Sequence, residues 1–355
     1  MGSEVFFIRA EDREDPSSVA KKLKLLFDKS GAGNWIARGD FIGIKTHFGE
    51  SSNTTFIHPV IVKAAIDRVR GRGASPFLIE TSTLYRGQRS NALVHLELAF
   101  EHGFGFDAMG VPIIMADGLL GDSEVGVSVQ GFHFKEVKVA AEVTKAQGLV
   151  VVSHFKGHMA SGFGGAIKNV GMGLASRRGK LRQHSVMSPE INQNRCTACG
   201  ECIKWCPEDT ISLVEGKARI EKKGCIGCGE CLAVCRYGAV MFDWRRESRV
   251  LQEMMAEYVL GVTNVLGGRI FYFNVLINIT KDCDCMYGGP KVSKDIGIVA
   301  GGDVVAVEKA SYDIFLEENE RPIQELTYPR VDPLVQVKHA KQLGLGSMEY
   351  ELVEI

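Results

Sequence analysis

The first 195 residues contain no cysteine; all ten lie between positions 196 and 285. A chain stapled by disulfides spreads its cysteines along a short secreted sequence, so the distribution instead points to thiol chemistry in a reducing compartment. Proline is scarce at 10 residues, which with an apolar fraction of 45% excludes a disordered chain. Charge of either sign is not in excess. The 42 Lys and Arg against 43 Asp and Glu leave a formal net charge of −1 and no global field to draw the chain to nucleic acid or an anionic membrane. No stretch of 18 uninterrupted apolar residues occurs, and the N-terminal run Val5–Ile8 is too short for a signal sequence, so no membrane insertion and a cytoplasmic location are expected. Neither Gly-x4-Gly-Lys-Ser/Thr nor an early Gly-x-Gly-x-x-Gly is present, which leaves ATP and dinucleotide binding without support.

What is abundant is glycine, 40 residues, and short apolar runs alternating with amphipathic stretches. Val5–Arg9, Asp40–Thr46, Phe77–Glu80, Val111–Met115 and Gly148–Val152 read as strands. Helices are expected over Ser18–Asp28, from Pro59 to about Arg70, over Ala92–Glu101 and over Ala140–Gln147, with a hairpin across Val125–Val139. The pattern resumes after residue 241 with a helix from Glu247, a β-rich run Gly268–Ile279, a strand Asp295–Ala300 and a helix Asp303–Glu318. This predicts an α/β fold with a mixed or largely parallel sheet flanked by helices, its first part in residues 1–190 and its second in 241–355. Residues 191–240 differ in composition and read as a small inserted ferredoxin-like α+β module.

That module carries Cys196-x2-Cys199-x2-Cys202-x3-Cys206 and, 29 residues on, Cys225-x2-Cys228-x2-Cys231-x3-Cys235. The spacing is that of two-cluster ferredoxins, in which each fourth cysteine crosses over. It predicts two [4Fe–4S] clusters, one on Cys196, Cys199, Cys202 and Cys235, the other on Cys225, Cys228, Cys231 and Cys206. The function expected from them is a redox enzyme passing electrons from a redox protein or reductase to a small anionic substrate; the alternative is an electron-transfer or partner-docking protein without catalysis. Oligomeric state is not legible.

A second set of polar residues falls at the ends of the expected strands, the side on which open parallel sheets bind ligands: Lys45, His47, Glu80, Asp117 and His154. The glycine-rich segment 153–173 adds His158 and Lys168, suited to holding an anion beside backbone N–H groups. His47, Glu50, His154 and His158 admit three readings: an additional divalent metal, acid–base chemistry, or plain hydrogen bonding. Cys283 and Cys285, set among Asp282 and Asp284, could ligate a metal, form a redox dithiol or supply a nucleophile. The candidate catalytic set is therefore His47, His154, His158, Lys168, Cys283 and Cys285, with Asp295 and Glu308 as further candidates for the same pocket.

The segments Ser153–His158, Gly164–Gly173, the double cysteine motif, Asn278–Cys285, Asp295–Ala300 and Asp303–Ala310 together resemble the iron–sulfur-centre proteins that carry domain of unknown function 362. Val305 and Glu308 stand where that family more often has Pro and Asp. The resemblance covers nearly the whole chain. It implies an α/β domain with a ferredoxin-like insertion and leaves the reaction unassigned.

Overall fold

A computed structural model describes residues 2–84, 87–184, 189–225, 231, 234–241, 248–286 and 289–355. Its centre is an eight-stranded sheet in the order β16-β1-β15-β14-β7-β2-β3-β4. The strands are β1 (Ser3–Arg9), β2 (Phe41–Lys45), β3 (Ser75–Glu80), β4 (Ile113–Met115), β7 (Gly148–His154), β14 (Ile270–Leu276), β15 (Gly297–Gly301) and β16 (Tyr350–Glu354). Only β15 runs against its neighbours, so the sheet is mixed and largely parallel. Strands from both ends of the sequence are interleaved: β14 pairs with β7, and β1 with both β15 and β16.

The central strands read as unbroken apolar runs because both of their faces are covered. Leu149 and Val151 of β7 pack into one core with Val259 and Val262 of the helix Ser248–Val265, while Val150 and Val152 face the other, with Leu23, Phe27 and Ile61 from the helices Pro16–Lys29 and Pro59–Gly71. Those two helices start where the sequence supplies caps: Asp15 accepts from Ser17 and Ser18, and His58 accepts from Val60, each with proline in the first turn.

Four two-stranded ribbons complete the strand set. These are β5 (Glu124–Ser128) with β6 (Glu136–Ala140), β8 (Lys156–His158) with β9 (Gly162–Gly164), β10 (Glu190–Ile191) with β13 (Val240–Met241), and β11 (Ile211–Val214) with β12 (Lys217–Ile220). The last three lie close in sequence to the cysteine-rich and glycine-rich segments. Residues Cys196, Cys202, Ile211, Ala218, Cys231, Ala239 and Val240 form a small apolar cluster apart from the two main cores. A ferredoxin-like insertion is not specified by this arrangement beyond two short ribbons and a cluster of cysteines. Two other expectations change. Ala141–Lys145 is a short 3-10 turn rather than a helix over 140–147, and the strand expected over Asp295–Ala300 is the single reversed strand of the sheet. No helix among the described residues is long and apolar enough to cross a membrane.

Leu149 is fully buried in the strand nearest the middle of the sheet. Leu149→Ala is expected to cost about 2–5 kcal/mol and to lower the urea midpoint without changing the slope of the transition. A shift of a few tenths of a kcal/mol would mean that this strand is not the packed centre.

Candidate active site

Seven strands point the same way, and the C-terminal ends of the inner ones bring their polar residues to one edge. Lys45, the last residue of β2, is fully buried, and its ammonium donates to Glu80 at 2.8 Å, to Asn169 at 2.7 Å and to the Thr46 carbonyl at 2.9 Å. Burial lowers the Lys45 pKa. Burial by itself would raise Glu80, but the Lys45 charge holds its carboxyl below the ordinary value. Asn169 is fixed in turn on Ser153 and Val152 of β7. A Cβ at Gly173 would lie 2.1 Å from the Asn169 carbonyl and 2.9 Å from the Lys45 Nζ, so only glycine lets this turn close over the lysine.

The next layer centres on Asp284, which is fully buried. Its oxygens lie 2.9 and 3.0 Å from His154 Nδ1, and Lys156 approaches at 3.2 Å. His154 Nε2 faces the Ile277 carbonyl at 3.0 Å, so both of its ring nitrogens have oxygen partners. Burial would raise the Asp284 pKa, but His154 and Lys156 together pull it well below the usual carboxylate range. The Asp284 carbonyl also accepts the Glu50 amide at 2.9 Å, which joins the loop after β2 to the loop after β14. Arg89, from the segment after β3, reaches into the first of these loops, to Glu50 at 3.0 Å and His47 Nε2 at 2.8 Å, while the Gly49 amide points at His47 Nδ1. Burial first, then Arg89, pushes the His47 pKa well down.

Beside Asp284 lie the two thiols. Lys168, from the helix Ala166–Gly171, donates to Cys283 Sγ at 3.3 Å. A hydrogen bond from Cys285 is the largest influence holding the Cys283 thiol well below its ordinary pKa; burial opposes it and Lys168 supports it, while Cys285 is pushed well above. His158 Nδ1 accepts the Ala160 and Ser161 amides, both at 3.1 Å, so in the neutral ring Nε2 carries the proton. Burial, then Lys168, lowers the His158 pKa to about 3. Ligand atoms of His158, Cys283 and Cys285 lie within 4.8 Å of one another. The segment bearing the thiols is pinned by close approach of Gly157, whose Cβ would lie 2.2 Å from the Lys281 carbonyl.

Of the sequence candidates, His158, Lys168, Cys283 and Cys285 come together directly. His154 reaches them through Asp284 and Lys156, and His47 and Glu50 through Arg89 and the Asp284 backbone. His47, Glu50 and His154 each have other partners and do not join His158 in a metal-sized group among the described residues. Asp295 lies elsewhere, accepting from the Asn278 and Arg13 amides. Glu308 caps the Ala166–Gly171 helix by accepting from Ile167 at 2.7 Å, and burial raises its pKa to about 7. Arg89, Lys156 and Lys180 were not singled out by the sequence reading. Lys180, whose pKa burial lowers to about 8, donates to Thr81, Ser82 and Ala175 and braces the loop after β3. Lys156, two residues past the apolar strand β7, carried a signal that could have found it; Lys180, among Arg177, Arg178 and Arg182, and Arg89, in a polar loop, carried none.

The two expected [4Fe–4S] centres are corrected. Among the described residues, side-chain groups of three or more that could hold a metal ion are His158/Cys283/Cys285 and His133/Glu257/His339; neither includes Cys196, Cys199, Cys202, Cys206, Cys225, Cys231 or Cys235, and Cys228 lies outside the described residues. Three of the motif sulfurs accept backbone amides, Cys206 and Cys235 from four residues further on and Cys196 from β12. Cys196 accepts the Ala218 amide at 3.4 Å, Cys235 the Ala239 amide at 3.3 Å, and Cys206 the Thr210 amide at 3.3 Å. The electron-transfer function and the oxidoreductase role built on those clusters are corrected with them.

The chain matches the model of the domain of unknown function DUF362 over residues 42–313, and it belongs to that family. The resemblance is thereby corrected to the family alone, without its iron–sulfur-centre part. No curated protein matches. Among solved structures, the lactate racemase apoprotein from Thermoanaerobacterium thermosaccharolyticum aligns with a TM-score of 0.44 at 10% identity, over 99% of this chain and 82% of that one. A protein from Thermotoga maritima aligns with a TM-score of 0.38 at 12% identity, over 93% of this chain and 60% of that one.

Because the folded pKa of Asp284 is depressed, its contribution to stability is present above ~4 and is lost as pH falls below that value toward the depressed one. Acid unfolding of Asp284→Asn should therefore show a flatter acid limb than the parent, and an unchanged limb would count against the buried pair. At neutral pH, Lys45→Met should cost about 3–5 kcal/mol by leaving Glu80 charged and unpaired, with Lys45→Met/Glu80→Leu regaining most of the loss. Chemical denaturation of the three proteins measures both.

Proposed function

We propose that this protein is a thiol-dependent enzyme whose Cys283 thiolate attacks the carbonyl carbon of a small acyl substrate. The observation that carries the reading is the 3.3 Å approach of the Lys168 ammonium to Cys283 Sγ in a buried setting, with Cys285 as a further proton donor. A thiolate is the reactive form of cysteine, and neighbouring cations and donors favour it. On attack, a C–S bond forms as the carbonyl π bond breaks, and the negative charge moves from sulfur to oxygen. Lys168 then stands beside the new oxyanion, where such a charge is worth most. As the carbonyl re-forms, the bond to the departing group breaks; the neutral His158 ring can offer its Nε2–H as a hydrogen bond to that group, and the Lys168 ammonium supplies any proton it takes. His154 and Lys156 fix Asp284, and through it the Cys283–Cys285 turn, while His47 belongs to the loop that closes over the same edge.

The mutual reach of His158, Cys283 and Cys285 favours one other reading, a single soft metal ion held by the two sulfurs and the ring. The Lys168 ammonium against the same sulfur, and the two amides on His158 Nδ1, weigh against it. As part of the same proposal, residues 1–190 and 241–355 are two parts of one unit and 191–240 an inserted module; support comes from the interleaving of β14, β15 and β16 with the earlier strands. A reducing, cytoplasmic setting is likewise proposed, supported by Cys196, Cys199, Cys202, Cys206, Cys235, Cys283 and Cys285, which are free thiols.

Incubation with activated acyl esters, followed by intact-mass and peptide mapping, should find an acyl group on Cys283 and none in Cys283→Ser. Lys168→Met should slow acylation by about 10²–10³-fold. Acylation that ignores both substitutions would refute the thiolate role, and protection of Cys283 by one equivalent of Zn²⁺ in the parent would favour the metal reading.

A further inference from the structure

Three elements that contribute nothing to the thiol site bring a second set of ligating side chains together. His133 comes from the turn between β5 and β6, Glu257 from the helix Ser248–Val265, and His339 from the helix Val335–Gln342. One ligand atom of each lies within 4.8 Å of the other two. His339 Nε2 is 3.2 Å from Glu257 Oε1. Two donors bonded at ~2.0–2.2 Å to one tetrahedral ion stand roughly 3.3 Å apart, so this separation is that of a coordination edge as well as of a hydrogen bond. Glu253, one helical turn before Glu257 and on the same face, lies 2.8 Å from His133 Nε2 and supplies a further carboxylate at the mouth of the cluster.

The surroundings hold these groups in place. Glu257 is fully buried and accepts the amides of Phe132, His133 and Phe134 at 2.8, 2.9 and 2.8 Å. Those bonds fix the turn on the helix, and they require Gly131, whose Cβ would sit 2.2 Å from Glu257 Oε2. His339 is almost fully buried, with the Phe132 ring 5.2 Å away, whereas the His133 side chain remains about a quarter exposed and gives an ion access. Two imidazoles and a carboxylate are a borderline donor set that suits zinc and excludes calcium or magnesium, which take oxygen.

We propose that His133, Glu257 and His339 form a binding site for a borderline divalent cation such as Zn²⁺, which clamps the β5–β6 turn to the two helices. This site shares no residue with the thiol site and does not rest on the reading given for it.

Metal-stripped full-length protein titrated with Co²⁺ tests this, since cobalt reports its own donors. The parent should bind one equivalent more than His133→Ala. The difference spectrum should carry visible ligand-field bands without thiolate-to-cobalt charge transfer. His339→Gln, which keeps a side-chain amide facing Glu257, should lose the same equivalent, and Cys283→Ser should keep it. Should His339→Gln fail to fold, His133→Ala on the exposed side still decides the matter. Equal stoichiometry in the parent and His133→Ala overturns the proposal, as does a difference spectrum that contains thiolate charge transfer.

Discussion

A single buried carboxylate organises the working edge of this protein. Asp284 sits in a place where burial alone would neutralise it, and it stays charged because His154 and Lys156 are delivered to it by the end of β7 and the start of β8. Remove that charge and the buried His154 ring and Lys156 ammonium lose their partner, at a cost of several kcal/mol; keep it and the flanking cysteines have one defined position. Its backbone carbonyl adds the loop after β2 to the same knot. The chain order of these pieces is scattered, which is why the ion pair, rather than local propensity, decides where the thiols stand.

A similar logic runs one layer deeper. Lys45 and Glu80 lie at the ends of adjacent parallel strands, so their pairing is set by the β2–β3 register, and Asn169 carries it across to the helix that bears Lys168. The orientation of Lys168 toward Cys283 is therefore connected, through the Ala166–Gly171 helix and Asn169, to the buried pair beneath. Glu308, accepting the Ile167 amide, holds the other end of that short helix. Positioning of this kind matters because a cation a few ångströms from a thiolate or oxyanion loses its effect quickly with distance when water can enter.

Much of the sheet was legible in the residues. Runs such as Gly148–Val152 have no polar face because β7 is covered on both sides, and the hairpin expected across Val125–Val139 forms as the antiparallel pair β5 and β6. Of the polar residues expected at strand ends, Lys45, Glu80 and His154 are the last residues of β2, β3 and β7, and His47 and Asp117 lie two residues past β2 and β4. Less was legible where side chains from distant segments meet. Periodicity cannot show that β15 runs in reverse, that Lys156 and Arg89 turn inward to carboxylates, or that His133 and His339, more than two hundred residues apart, share Glu257. The regular spacing of the motif cysteines led to two clusters, yet spacing describes a repeat along the chain. The ligand sets capable of holding one ion among the described residues arise from tertiary neighbours instead.

The central claim is that Cys283 is a thiolate in the resting protein. The most direct measurement is the ultraviolet thiolate absorbance of the parent minus that of Cys283→Ser, followed from acid to alkaline pH in the folded protein. Burial alone would push a thiol above the ordinary ~8.5, so the sign of the shift distinguishes a stabilised thiolate from an inert buried cysteine. The account predicts a difference signal already complete at neutral pH and diminished by Lys168→Met. A signal that appears only at or above the ordinary thiol value would contradict it.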